Sequence, residues 1–169
     1  MCQALCVAAG QPILRRAEGS DAVAVGQVWL RSFAAALPSV RVVHTDDQIL
    51  AWIRRVVIDV LEAWVVTVDD VIVGIMALDD TDIDQLYLDP QWRGRGIGDL
   101  LIGHAKFRRP RGLGLWTFQV NAGARRFYER HGFVEVISTN GARNEEQEPD
   151  VRLEWTPAAR DSPQSLATG

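Results

Sequence analysis

Cysteine is nearly absent from the 169 residues: only Cys2 and Cys6 occur, both within the first ten positions. That count excludes a disulfide framework. With three histidines and no paired Cys or His spacing elsewhere, no zinc pattern exists and no metal is expected. Long apolar runs are missing too. Nothing approaches the roughly twenty residues of a membrane span, and the opening MCQALCVAAG lacks the basic flank and apolar length of a secretory signal. Excess positive charge is the third absence. Eighteen Lys and Arg against 22 Asp and Glu leave a net charge of −4, which argues against nucleic acid, because a phosphate backbone needs a basic face to neutralise it. The expectations are a reducing cytoplasm, no membrane and no nucleic acid.

What is present reads as one ordinary domain, 47% hydrophobic and 24% charged, long enough to bury a single substantial core. Ile13 to Ala17 is a strand candidate. Ser20 or Asp21 can cap a helix carrying Val25, Val28, Trp29 and Phe33 at helical spacing until Pro38 stops it. Thr45 with Gln48 three residues on forms a capping box for a second helix through Ile49, Trp52, Ile53 and Val56. Glu62–Val68 and Val71–Leu78 are β-branched runs that turn at Asp69-Asp70, a hairpin pattern. Thr81–Leu88 is the next strand, ended by Asp89-Pro90. Beyond it the pattern alternates: helix, strand (114–119), helix (122–131), strand (133–139), loop and final strand (151–155). Without strict βαβ alternation, the fold class is α+β, a mixed α/β layer fold.

Between the strand ending at Leu88 and the helical run from Ile97, residues 93–98 read Arg-Gly-Arg-Gly-Ile-Gly. Glycines at such a junction let backbone N–H groups close around an anion, while the helix N-terminus supplies partial positive charge. Two common phosphate loops are excluded. A dinucleotide fingerprint from Gly94 needs glycine where Asp99 stands, and a P-loop needs Gly there followed by Lys. A nucleotide-hydrolysing enzyme is thereby disfavoured. Further on, a strand leads into Asn121-Ala122-Gly123-Ala124-Arg125-Arg126-Phe127-Tyr128, and Gly132-Phe133 closes that helix. Asn121 suits a helix N-cap and Gly132 a helix end.

Arg93-x-x-Gly96-x-Gly98, followed in order by Asn-x-x-Ala, Phe-Tyr and Gly-Phe, resembles the acyl-CoA site of the GCN5-related N-acetyltransferases (GNAT). The resemblance runs from about Pro12 to Pro157. It implies a leader at 1–11, an acetyltransferase domain at 12–157 and a tail at 158–169 that has little to bury. It also implies a central, mostly antiparallel twisted sheet with helices on both faces, splayed where acetyl-CoA enters as co-substrate. By the same resemblance the pyrophosphate lies on Gly94, Arg95, Gly96, Ile97, Gly98 and Asp99, with Arg93 adding a charged contact. The pantetheine arm follows Leu86, Tyr87 and Leu88, the thioester oxygen lies near the Leu88 amide, and Asn121 either caps its helix or also touches that arm. A homodimer is compatible with the resemblance, which leaves the oligomeric state open.

The chemistry expected is transfer of an acetyl group to a primary amine of a small molecule or peptide, by direct attack in a ternary complex. Amide formation needs an oxyanion stabiliser, an unprotonated amine and a proton donor for the leaving thiolate. Tyr128, mostly protonated at neutral pH, is the candidate acid, with core packing beside Phe127 as its alternative. Asp82 and Asp84, two residues apart and so expected on one face of a strand, are candidate bases acting through water; solvated turn residues are the alternative. Asn144, Glu145, Glu146 and Asp150 form a second carboxylate group that could reach the acceptor, and cleft carboxylates would favour a cationic amine. His44 faces either that cleft or solvent. His104, Lys106, Arg108, Arg109 and Arg111 are either a solvated helix end or contacts to the adenosine of coenzyme A. A domain that binds acyl-CoA without turnover is the competing function.

Overall fold

The computed structural model describes residues 10–158. The expected leader and tail, with both cysteines, lie almost wholly outside the described residues. The order is β1 (Ile13–Arg16), α1 (Ala22–Ala36), α2 (Asp46–Trp52), β2 (Glu62–Val68), β3 (Val71–Leu78) and β4 (Ile83–Leu88). Then follow α3 (Ile97–Arg108), β5 (Leu113–Phe118), α4 (Ala122–Arg130), β6 (Val134–Ser138) and β7 (Asp150–Trp155). Strands β1 to β4 form one antiparallel sheet in that order, and β5, β7 and β6 form a second. A single parallel bridge, Asp82 to Gly114, joins the two. The α+β architecture is as expected, and the opening falls between β4 and β5.

Local chemistry explains most boundaries. Thr45 accepts from the Gln48 amide and Gln48 returns a bond to the Thr45 amide, so the capping box at α2 is present as its spacing predicts. At the β2–β3 hairpin both Asp69 and Asp70 take positive φ, 49° and 63°. That conformation matches the right-handed twist of the flanking strands, and Asp tolerates it better than most residues. The second helix departs from expectation after Trp52, continuing as a wider π turn over Ile53–Ile58. The wider turn lets the sequence neighbours Val57 and Ile58 both reach the core.

Helices cover both faces of the first sheet. Val25, Val28, Ile49 and Ile53 of the α1–α2 layer pack on Val65, Ile75 and Ala77. On the opposite face Ile97, Leu101, Ile102 and Ala105 of α3 pack on Val66, Met76 and Leu78, and on Leu115 and Leu153 of the second sheet. Each such large side chain contributes roughly 1.5–3 kcal/mol on burial. A third cluster, Phe33, Leu37 and Val40, takes in Tyr87 from β4 and Phe118 from β5. Those aromatics thus span the two strands on either side of the opening.

One irregularity positions the site. Leu78 pairs with Ile83 but Ala77 with Gln85, so Asp84 is the extra residue of a bulge in β4. Ile83 joins the core under α3, whereas Tyr87 packs toward α1. The bulge corrects the expectation that Asp82 and Asp84 share a strand face: Asp82 precedes β4, and the alternation is broken at Asp84.

Candidate functional site

The ladder geometry of β4 decides which backbone groups are open. Asp89 donates to the Val73 carbonyl at 2.9 Å, and the register pairs Leu88 with Gly74 and Tyr87 with Ile75. In an antiparallel pair, bonded and non-bonded pairs alternate. Tyr87 therefore bonds across to β3, while Leu86 and Leu88 turn their N–H and C=O groups the other way. On that side β5 is held only near its start, where Gly114 donates to the Thr81 carbonyl at 3.0 Å. The two strands diverge, and a cleft of about 1420 Å³ opens beside Leu86, Tyr87 and Leu88.

The glycine turn forms one end of this cleft, which Arg93, Gly94, Gly96, Gly98 and Asp99 line. Gly94 and Gly96 adopt φ of 73° and 79°, and a Cβ at either would meet no atom within 4 Å. The turn is therefore bent by glycine and open in front. Gly96 is the N-cap of α3 and has no side chain to satisfy the helix's first amides, which makes this end a ready anion site. Gly98 serves packing instead: a Cβ there would stand 2.9 Å from the Phe127 ring of α4. Ile97 is buried in the core, leaving only its backbone for a ligand. The exposed Arg95 lies over Trp92 at 4.7 Å. Arg93 donates to the Ser32 carbonyl and hydroxyl of α1 at 3.1 and 3.0 Å, so its guanidinium is steadied from behind.

Across the cleft, Asn121 caps α4 by accepting from the Ala124 amide at 3.1 Å. Tyr128 is 7% exposed, packs edge-on to Phe127 and Phe133, and lines the cleft. Its hydroxyl has no hydrogen-bond partner among the described residues. Burial, and secondarily the neighbouring Tyr87, raise its pKa well above the ordinary tyrosine value. Tyr87 is raised too, first by burial and then by the charges of Glu146 and Asp84. Asp99, at the other wall, is held below the ordinary carboxylate range by hydrogen bonds from Arg130 and His131, against a smaller opposing effect of burial.

The structure separates the two aspartates. Asp82 lies outside the cleft lining, and Arg152 of β7 grips both its oxygens, Nη2 at 2.7 Å from Oδ1 and Nη1 on Oδ2. Asp84 lines the cleft and accepts from Gln85 Nε2 at 3.0 Å, while Gln85 Oε1 accepts from Trp29 Nε1 at 3.4 Å. The loop before β7 does reach the cleft, through Asn144, Glu145 and Glu146, and so does Asp150 at the start of β7. His44 reaches it as well, with Nε2 2.6 Å from Glu145 Oε2. Sequence reasoning missed Ser32, Trp29, Gln85 and Phe118, and none carries a local signal, because each matters only through a partner on another element.

The basic group at the end of α3 lies elsewhere. None of His104, Lys106, Arg108, Arg109 and Arg111 lines the cleft. Arg108 and Arg109 bind Glu62 at 2.5 and 2.9 Å, and Lys106 donates to the His131 carbonyl. Glu62 is pushed up by burial, but the bonds from Arg108, Arg109 and Trp64 outweigh that and bring its pKa to about 2. These cations are structural, at the far end of the helix from the glycine turn.

Residues 59–135 match the model of the acetyltransferase (GNAT) domain. An uncharacterised N-acetyltransferase of Methanocaldococcus jannaschii is 45% identical over 64 residues, covering 36% of this chain and 28% of that protein. The peptidyl-lysine N-acetyltransferase YjaB of Salmonella typhimurium is 41% identical over 71 residues, covering 41% of this chain and 48% of its own. This chain thus aligns with less than half the length of either relative. The solution structure of apo YjaB from Escherichia coli superposes with a TM-score of 0.73 at 24% identity, covering 88% of this chain and 99% of that one. Domain match, relatives and fold point the same way: residues 59–135 resemble the acetyltransferase (GNAT) domain, and both aligned relatives are N-acetyltransferases.

Proposed function

We propose that the protein is an N-acetyltransferase that moves the acetyl group of acetyl-CoA to a primary amine by direct attack within a ternary complex. The observation that carries this reading is the outward-facing backbone of Leu86 and Leu88 beside an open glycine turn. An extended pantetheine arm fits that edge as an added strand, with the pyrophosphate on the amides from Gly94 to Asp99 and Arg93 steadied by Ser32 nearby. The Leu88 N–H then faces the thioester oxygen and stabilises the charge that develops on it.

The amine nitrogen attacks the thioester carbon, a C–N bond forms, and the C–S bond breaks to release the thiolate of coenzyme A. Tyr128 gives that thiolate a proton. Its raised pKa keeps it protonated across neutral pH, so the proton is there to be given. Asp84, steadied by Gln85, takes the proton lost by the amine through a water. Asp82 is not part of this scheme, because Arg152 occupies it. The Tyr128 side chain lines the cleft with its hydroxyl uncommitted to any described residue, and a proton donor placed there favours turnover over acyl-CoA binding alone.

The test is calorimetric titration of the protein with acetyl-CoA, followed by thiol release with a panel of amines. Binding together with amine-dependent release of coenzyme A is expected. Absence of acetyl-CoA binding at millimolar ligand overturns the reading, and binding without release for any amine identifies a silent binder.

A further inference from the structure

The cleft is divided by charge. At the glycine-turn end the lining cations are Arg93 and Arg130, beside the open helix N-terminus, and the lining carboxylate there, Asp99, is paired with Arg130. At the other end the lining carboxylates are Asp84, Glu145, Glu146 and Asp150, and the one lining basic side chain there among the described residues is His44. Those four carboxylates are not equally free. Asp150 receives Thr139 Oγ1 and Asn144 Nδ2, and Glu145 is joined to His44. Glu146 is half-buried and has no ion-pair partner among the described residues, and Asp84 has only the neutral amide of Gln85.

Two uncommitted carboxylates at one end of a cleft suit a ligand that brings two positive charges. Three further observations point to a ligand there. Tyr128, a side chain 7% exposed, lines the same cleft and its hydroxyl bonds no described residue. Trp29, stacked on Phe33 with ring centres 4.9 Å apart and next to Tyr87 at 5.5 Å, adds an aromatic wall on which methylenes and an ammonium both pack well. The His44–Glu145 contact ties the loop before α2 to the loop before β7, two segments lining the same end of the cleft. A slender chain passes such a tied mouth more easily than a polypeptide laid across it.

Resting on the acetyltransferase reading above, we propose that the acceptor is a small aliphatic amine carrying a second positive charge, an α,ω-diamine in its simplest form. The reacting amine sits by Asp84 and Leu88, and Glu146 holds the second ammonium. By the same electrostatics an acceptor bearing a carboxylate in place of that ammonium is rejected.

Thiol-release assays with 1,4-diaminobutane, butylamine and 4-aminobutanoate test this directly. The diamine should exceed butylamine in kcat/KM by roughly tenfold or more, as expected for one charge pair in a partly desolvated cleft, and 4-aminobutanoate should fall below both. Glu146→Gln should move the diamine-to-butylamine ratio toward one, and Glu146→Lys should invert it, with unchanged melting temperatures and acetyl-CoA affinity showing that both variants are folded. Equal kcat/KM for diamine and monoamine, an unaltered ratio in Glu146→Gln, no turnover of any of the three amines, or preference for a lysine peptide with neutral flanks overturns the inference. Failure of acetyl-CoA to bind the unmodified protein instead overturns the acetyltransferase reading beneath it.

Discussion

The two ends of the cleft are built by different means. The glycine-turn end is made largely of backbone: the outer edge of β4, two residues with positive φ, and the uncapped start of α3. The opposite end is made of side chains on loops, where His44 meets Glu145 across 101 positions of sequence. The matched domain, residues 59–135, covers the first end and stops short of both loops at the second. On the proposed reading, the backbone end binds what every acyl-CoA shares, so one short motif specifies it, and the side-chain end selects among amines through residues that can change without disturbing the fold.

The sharpest way to break this contrast is at the turn itself. Gly96→Glu places a side chain at φ 79° and a negative charge in the open space before α3. Acetyl-CoA affinity should fall by about a hundredfold or more, and the rise in melting temperature that acetyl-CoA gives the unmodified protein by mass action should disappear. A retained thermal shift would move the anion site elsewhere.

Next in size is Tyr128→Phe, which removes one oxygen and little volume. Turnover should drop by roughly ten- to a thousandfold with acetyl-CoA affinity unchanged, the pattern for losing a positioned acid. Unaltered turnover under conditions where chemistry limits the rate would assign Tyr128 to packing.

A third comparison separates the two aspartates. Asp84→Asn should lower turnover about tenfold near pH 7, and by less toward pH 9, where more of the amine is already free. Asp82→Asn should leave the rate within about twofold but cost about 1–3 kcal/mol in denaturant unfolding, because Arg152 loses its charged partner. If the rate loss falls on Asp82 instead, the base is not the bulge carboxylate.

The smallest effect concerns the structural cations at the other end of α3. Glu62, with a folded pKa of about 2 against an ordinary 4.5, stabilises the fold as a carboxylate. Its contribution is complete above the unfolded value and fades as pH falls through the folded one. Glu62→Gln should therefore cost on the order of 1–2 kcal/mol at pH 7, allowing for the partial exposure of Arg108. The gap in melting temperature between the two proteins should close as pH drops from about 5 to 2. A gap independent of pH would mean that packing, not charge, is what the substitution removes.

Local signals made much of this legible in advance. The capping box at Thr45 and Gln48, the Asp69-Asp70 turn, the Asn121 cap and the glycine turn each depend on residues within a few positions of one another. The residue pair 82 and 84 was misread because strict alternation was assumed, and a bulge depends on the partner strand's register. The π turn after Trp52 was missed for a related reason: only core packing makes the wider turn favourable.

The chain's own residue order was enough to set an α+β domain with an open glycine turn before α3, because hydrophobic period, caps and glycine placement act over one or two turns of chain. Only the tertiary structure decided where β4 and β5 part, that Asp82 belongs to Arg152 and Asp84 to the cleft, and that Arg93 leans on Ser32. Those choices lie in contacts between residues 61 and 70 positions apart, and a charged side chain takes its role from whichever partner folding brings within hydrogen-bond reach.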